Sequence, residues 1–314
     1  MLTYFILLTI FNAALITAAN LPIRLITFNI RDDGLQPKAN EKPWRTRAPR
    51  VISQLRYNTL YNPASLICLQ EVKQNQLDDI MESLNANTAP SDSWAYIGVT
   101  STNRSDSLSY NPILYRPGAW ELEKNETFWL SEQPDQVGVG WDAKLPRILN
   151  LGIFTHSDTN KTIVGGCTHF DHVGKTARAE SAKLILKTLD QKREDTGASF
   201  LWIGGDLNSL PTDPPYETFN ATSAAVTDLS SAASWKWGEE HTATGFNDDA
   251  DGDVVIDYLF AGPKDERIEN GDGKKAEEVE GKWEAKAYGV LPNVGEDGIY
   301  LSDHRAVVGD VVVF

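Results

Sequence analysis

Six short apolar runs each reach a polar residue suited to holding a cation or a phosphate group. Ile23–Ile30 carries Asn29, and Leu66–Glu71 ends in a carboxylate. Val164–His169 ends in an imidazole. Leu201–Asp206 ends in a carboxylate, with Asn208 two residues on. Val254–Asp257 supplies another carboxylate, and Ser302-Asp303-His304 directly precedes the last apolar run. An apolar strand tolerates a charge when that charge is paired or bound to metal. Taken singly, Asn29 reads as a turn cap, and Asp206 and Asn208 fit a turn as well as a site. Asp257, inside Val-Val-Ile-Asp-Tyr-Leu-Phe, points to function even alone. Carboxylates, amides and imidazoles gathered at strand ends suit the holding of a metal ion or a phosphate group.

The elements that must position these groups are mostly strands. Short β-rich runs recur at Ile23–Ile30, Ser65–Gln70, Trp94–Val99, Pro112–Tyr115, Trp120–Leu130, Ile148–Thr155, Thr162–His169 and Phe200–Gly205. Further runs follow at Val254–Ala261, Lys286–Leu291 and Arg305–Phe314. Leu77, Ile80, Met81 and Leu84 follow helical spacing, and Arg45–Tyr57 and Lys175–Lys192 are also predicted helices. Many strands with a few helices imply an α/β protein, a two-sheet β-sandwich flanked by helices. The polar segment Gly262–Gly281 is expected to be a surface loop or loose hairpin. One domain is expected over 20–314.

The chain has 314 residues and a formal charge of −15, with no block of Lys or Arg. That balance weighs against tight nonspecific binding of a polyanion. The uncharged stretch Leu2–Ala18, with small residues before Asn20, is expected to be a signal peptide over 1–19. It is shorter than a spanning helix requires, and no later segment is apolar enough for a membrane anchor. Secretion is therefore expected. Four glycosylation sequons, at Asn103, Asn125, Asn160 and Asn220, fit that compartment. Cys68 and Cys167 both sit in apolar runs, where they fit either a disulfide or two buried thiols. His156 and His241 are expected in surface or loop positions.

Thr27-Phe-Asn-Ile30, Leu69-Gln-Glu71, Thr168-His-Phe170, Gly205-Asp-Leu-Asn208, Ile256-Asp-Tyr258 and Ser302-Asp-His304 occur in this order. The set resembles the endonuclease/exonuclease/phosphatase (DNase I-like) superfamily across nearly the whole mature chain. Arg47-Ala-Pro-Arg50, Tyr110-Asn-Pro-Ile-Leu-Tyr115, Phe128-Trp-Leu-Ser-Glu132, Gly140-Trp-Asp-Ala143, Pro146-Arg-Ile148, and His169-Phe-Asp-His172 followed by Ala177-Arg-Ala-Glu-Ser181 resemble a secreted branch of it. Ser109 departs from the acidic residue that branch often carries there.

The resemblance implies a four-layer α/β/β/α fold and a site holding Mg2+ or Mn2+. It makes Glu71 the principal metal ligand, supported by Asp303 and Asn29. It makes His304 the general acid/base, oriented by Asp257. Asp206 would position or deprotonate the attacking water, Asn208 would orient it, and His169 would donate to the phosphoryl oxygens. Asp171, His172 and Arg178 are candidate substrate contacts, as are Arg31, Trp44, Arg47 and Arg147. The implied activity is hydrolysis of a compact phosphate mono- or diester: a nucleotide, a sugar or inositol phosphate, or a lipid head group. A secreted nuclease acting on DNA or RNA is the alternative, and a lipid phosphodiesterase stands third. A silent binding protein would have lost metal ligands or the catalytic histidine, and this chain keeps both. A monomer is expected.

Overall fold

Strand β1 (Leu21–Asn29) first alternates, with Leu21 and Ile23 inward and Pro22 and Arg24 less covered, and then buries both faces. A strand of that kind lies between a second sheet and a layer of helices. The computed structural model describes residues 20–102, 109–247, 252–269 and 273–314 and has that arrangement. The expected signal segment 1–19 and the sequon at Asn103 lie outside the described residues.

In chain order the strands are β1, β2 (Leu66–Gln70), β3 (Ala95–Ile97), β4 (Ile113–Tyr115), β5 (Trp120–Trp129), β6 (Ile148–His156) and β7 (Thr162–His169). They continue with β8 (Phe200–Asp206), β9 (Thr227–Asp228), β10 (Trp235–Gly238), β11 (Asp257–Gly262), β12 (Trp283–Val290) and β13 (Val307–Val313). One sheet has the order β10-β12-β13-β1-β2-β4-β3, the other β5-β6-β7-β8-β11-β9. Both mix parallel and antiparallel pairs.

The sheets pack face to face through Leu25, Ile113, Phe154, Trp202 and Leu259, all buried. Cys68 of β2 and Cys167 of β7 form a disulfide across this interface, joining positions 99 residues apart in sequence. Of the two readings open to the cysteines, the structure takes the bonded one.

Helices α1 (Trp44–Thr59) and α2 (Gln74–Asn85) cover the outer face of the first sheet. Their residues Val51, Leu55, Leu77 and Ile80 rest on Ile26, Phe28, Ile67 and Leu69. Helices α3 (Lys175–Thr196) and α4 (Pro214–Asn220) cover the second sheet. There Ile185, Leu189 and Phe219 meet Val164, Ile203 and Phe260. Helix α3 stops at Gly197, whose φ of 66° turns the chain out of the helix. The result is the four-layer α/β/β/α sandwich expected from the sequence.

Some expectations need correction. His156 is buried in β6 and packs edge-on against Trp120, with ring centroids 5.1 Å apart. Within the described part of 262–281, the expected loop carries a 3-10 turn at Lys264–Glu266 and a short helix at Ala276–Val279. Edge strand β10 and helix α4 were not anticipated. Among the described residues, no helix is long and apolar enough to cross a membrane.

Candidate active site

The strand register delivers the polar residues to one end of both sheets. Parallel pairing of β7 with β8 sets His169 opposite Asp206. Antiparallel pairing of β8 with β11 sets Asp206 opposite Asp257. Parallel pairing of β1 with β2 sets Asn29 opposite Gln70, so Glu71 follows directly. Beyond the strand ends, Arg31, Glu71 and Asn208 adopt φ values of 65°, 59° and 46°. Such backbone is strained for residues with a Cβ, and it collects at functional sites.

The amide of Asn29 ties the two sheets together. Its Nδ2 donates to Glu71 Oε1 at 3.2 Å and to Asp206 Oδ2 at 3.0 Å. Glu71 Oε2 accepts the Asp32 backbone N–H at 3.1 Å. Asp206 Oδ1 accepts the Asn208 N–H at 2.8 Å. The Asn208 side chain donates to the Phe170 carbonyl at 3.0 Å and lies 3.1 Å from His169 Nε2. His304 Nδ1 is 2.9 Å from Asp257 Oδ2. Its Nε2 is 3.8 Å from Asp206 Oδ2, and His169 Nε2 lies 3.5 Å from that same oxygen. Ser302, which the sequence left without a role, anchors the last segment by donating to the Asn29 carbonyl at 2.7 Å.

The environment separates the two imidazoles. Burial, with Arg147 nearby, holds His169 well below the usual histidine range, so it is neutral. Burial also opposes charge on His304, but Asp257, with Asp206 and Asp303, outweighs it and raises His304 well above that range. Burial and the Asp257 carboxylate push Asp206 up to about 6. Despite burial, Asp303 is held below the ordinary carboxylate value by His304 and Lys38. Lys38 Nζ sits 2.7 Å from Asp303 Oδ2, a contact the sequence did not signal.

Two groups of side chains could hold a cation. Asp206, Asp257 and His304 present ligand atoms within 4.8 Å of one another. In that group, however, His304 Nδ1 and Asp257 Oδ2 are committed to each other. An alternative oxygen-only set, the donor chemistry of a hard divalent ion, would draw on Glu71, Asp303 and Asn29, with Asn29 Oδ1 now accepting the Arg31 N–H at 3.1 Å and Asp303 Oδ2 meeting Lys38 Nζ at 2.7 Å. Glu71 also borders open space. The residues present therefore fit a divalent cation.

Beside Glu71 and His169 opens a cavity of about 320 Å³, also lined by Arg31, Asp32, Ser109, Arg147 and His172. Of the candidate substrate contacts, Arg31, Arg147 and His172 reach it. Asp171 does not: it accepts backbone N–H groups of Leu145, Val173 and Gly174 at 3.1, 2.9 and 2.7 Å, which makes it a loop organiser. Arg178 donates to the Asp171 carbonyl at 3.0 Å and supports the same turn.

Arg47 and Trp44 are likewise corrected. The fully buried Arg47 guanidinium donates to the carbonyls of Lys42, Ile30, Leu301 and Arg31. The Trp44 indole donates to Asp79 at 2.8 Å. Asp32, Ser101 and Asn111 line the cavity without having been singled out, because only the tertiary fold brings their loops there.

The model of the Endonuclease/Exonuclease/phosphatase family matches residues 26–304. No curated protein matches the chain by sequence. Among solved structures, a family protein from Bacteroides vulgatus is 29% identical, with 93% of this chain and 99% of that chain covered and a TM-score of 0.76. A mannosyl-6-phosphatase from Bacteroides thetaiotaomicron is 25% identical, covers 93% and 100%, and has a TM-score of 0.77. A second family protein from B. thetaiotaomicron, 24% identical over 95% and 97% of the chains with a TM-score of 0.79, shares the fold.

Proposed function

Since the chain belongs to the endonuclease/exonuclease/phosphatase family, whose members are phosphoester hydrolases, we propose that it is a divalent-metal-dependent hydrolase of compact phosphate esters. The observation that carries this reading is the convergence of the His304–Asp257 pair and Asp206 at the strand ends that bring Glu71 and His169 to the cavity. A volume of about 320 Å³ suits a small ester. The mannosyl-6-phosphatase among the structural relatives supports a compact substrate. The charge of −15 does not favour a long polyanion.

Glu71, with Asn29 and Asp303, would hold Mg2+ or Mn2+, which would offset phosphate charge when bound. Asp206, with its raised proton affinity, accepts the proton of the attacking water, and Asn208 orients that water. Neutral His169 faces the phosphoryl oxygens. His304 passes a proton from Nε2 to the departing alkoxide as the phosphorus–oxygen bond breaks, and Asp257 stabilises its imidazolium.

We also read the protein as secreted. The uncharged stretch Leu2–Ala18, the disulfide and exposed sequons at Asn125 and Asn160 support this. Asn220 is half-buried at the end of α4.

The test is phosphate release by the purified protein with Mn2+ or EDTA from sugar, inositol and nucleotide phosphates, beside plasmid DNA and RNA. Metal-dependent turnover of a small ester with nucleic acid left whole is expected. Degraded nucleic acid with untouched small esters would replace this reading with a nuclease.

A further inference from the structure

The three groups that would hold the divalent cation are all engaged by one short segment, 31–38. Arg31 N–H donates to Asn29 Oδ1 at 3.1 Å, and Asp32 N–H donates to Glu71 Oε2 at 3.1 Å. Lys38 Nζ donates to Asp303 Oδ2 at 2.7 Å. The first two contacts come from fixed backbone: the Arg31 carbonyl accepts from Arg47 Nη2 and Gln76 Nε2 at 3.2 and 2.9 Å. Those N–H groups carry no net charge, and an amide or carboxylate oxygen has lone pairs enough for an N–H and a cation together. Lys38 differs, because it brings a full positive charge to an oxygen that the cation would use.

The two ends of this contact are unequal. Asp303 is fixed and covered: its side chain is 6% exposed, and its backbone carbonyl accepts the N–H groups of Thr244 and Gly245 at 2.9 and 3.0 Å. The Lys38 side chain is 51% exposed and reaches in from solvent. Its backbone sits in a turn, where Lys38 N–H donates to Glu41 Oε2 at 2.8 Å and Glu41 N–H donates to the Lys38 carbonyl at 3.2 Å. An ammonium on a flexible four-carbon stem can swing into water without moving that turn. Arg31 Nη1 lies 4.0 Å from the same oxygen, but its side chain is only 10% exposed and lacks that freedom.

We infer that Lys38 is a tethered competitor of the divalent cation: its ammonium and the ion claim the same carboxylate, so loading requires the side chain to swing out. The inference rests on the metal-dependent reading and adds to it the residue that sets the metal affinity. Two cations at one carboxylate repel, so each is held more weakly while the other is near. A carboxylate as covered as Asp303 is costly to leave without a partner, and Lys38 supplies one whenever the ion is scarce. A half-exposed ion pair is weak, so the divalent ion displaces it once its concentration rises.

The test is Mn2+ binding followed by electron paramagnetic resonance, which reads free ion and needs no turnover. Lys38→Met keeps the stem and removes the charge, and it should bind Mn2+ at least about fivefold more tightly than wild type. Its Mn2+-induced rise in melting temperature should be correspondingly larger. Lys38→Arg keeps the charge and should stay within about twofold of wild type. Lys42→Met removes the same charge four residues further along, away from Asp303, and should also stay within about twofold. An affinity in Lys38→Met equal to or below that of wild type would overturn the inference, as would an equal gain in Lys42→Met, and either result leaves the metal-dependent reading standing. Absence of Mn2+ binding in wild type and variants alike would bring down that reading, and this one with it.

Discussion

The Nδ1 of His304 lies 2.9 Å from Oδ2 of Asp257, while the other oxygen of Asp257 meets no hydrogen-bond partner among the described residues. The carboxylate thus serves one neighbour. It fixes the ring orientation and leaves Nε2 toward Asp206, 3.8 Å from Oδ2. Asp257→Asn preserves shape but removes the charge that stabilises the imidazolium. The expected result is a loss in kcat of about 10²- to 10⁴-fold with KM little changed. His304→Ala should lose at least as much. Steady-state kinetics on the best small ester checks both.

Glu71 is the one carboxylate of its oxygen set that faces the cavity, so neutralising it should weaken cation binding directly. Mn2+ should raise the melting temperature of the wild-type protein, since a ligand that binds only the folded state stabilises it. Glu71→Gln should abolish most of that rise while leaving the metal-free melting temperature nearly unchanged. A Mn2+-induced rise as large in the variant as in the wild type would place the cation elsewhere.

The Cys68–Cys167 bond closes a loop of 99 residues between the sheets. Loop-closure entropy alone gives such a link about 4 to 5 kcal/mol. Urea unfolding of a Cys68→Ala/Cys167→Ala variant should show a loss of that order, and reduction of the wild-type protein should reproduce it.

Asp171 carries a stability that depends on acid. Burial would raise its carboxyl, but the backbone N–H groups around it bring it down to about 2 from an ordinary 3.8. Its folded form therefore binds a proton less readily than the unfolded chain. The contribution, about 2 kcal/mol, is present above the ordinary value and is lost as pH falls toward about 2. Chemical denaturation of wild type and Asp171→Asn across that range should show curves that differ at neutral pH and converge in acid.

The sandwich, its outer helices and the polar residues gathered at one end of its strands were legible in the sequence, because each carries a local signature. An apolar run that stops at Glu71, His169 or Asp206 announces a strand end with a costly polar group. Helices α1, α2 and α3 announce themselves by spacing. Long-range choices left no such mark. Whether Cys68 met Cys167 depended on how the two sheets stack. Arg47 had the look of a phosphate ligand, yet its four carbonyl partners come from three separate segments that only the fold gathers. Asp171 and Arg178 sat in a signature next to His169, and their work proved to be backbone support. Helix α4 was missed because it spans only Pro214–Asn220, too short for a periodic pattern. Strand β10 was missed because all four of its residues are exposed, so no alternation marks it.

The site is assembled from two separate plates. Asn29 and Glu71 ride on one sheet, and His169, Asp206 and Asp257 on the other. A slide of one plate over the other by a single residue repeat, about 3.3 Å, would exceed the reach of every hydrogen bond between the halves. The disulfide lies three residues below Glu71 and two below His169, so it pins the two strands whose alignment matters most. Alignment of the candidate site is therefore a shear tolerance, and Phe154 and Trp202, packed in the interior between the plates, belong to it as much as any of its polar groups.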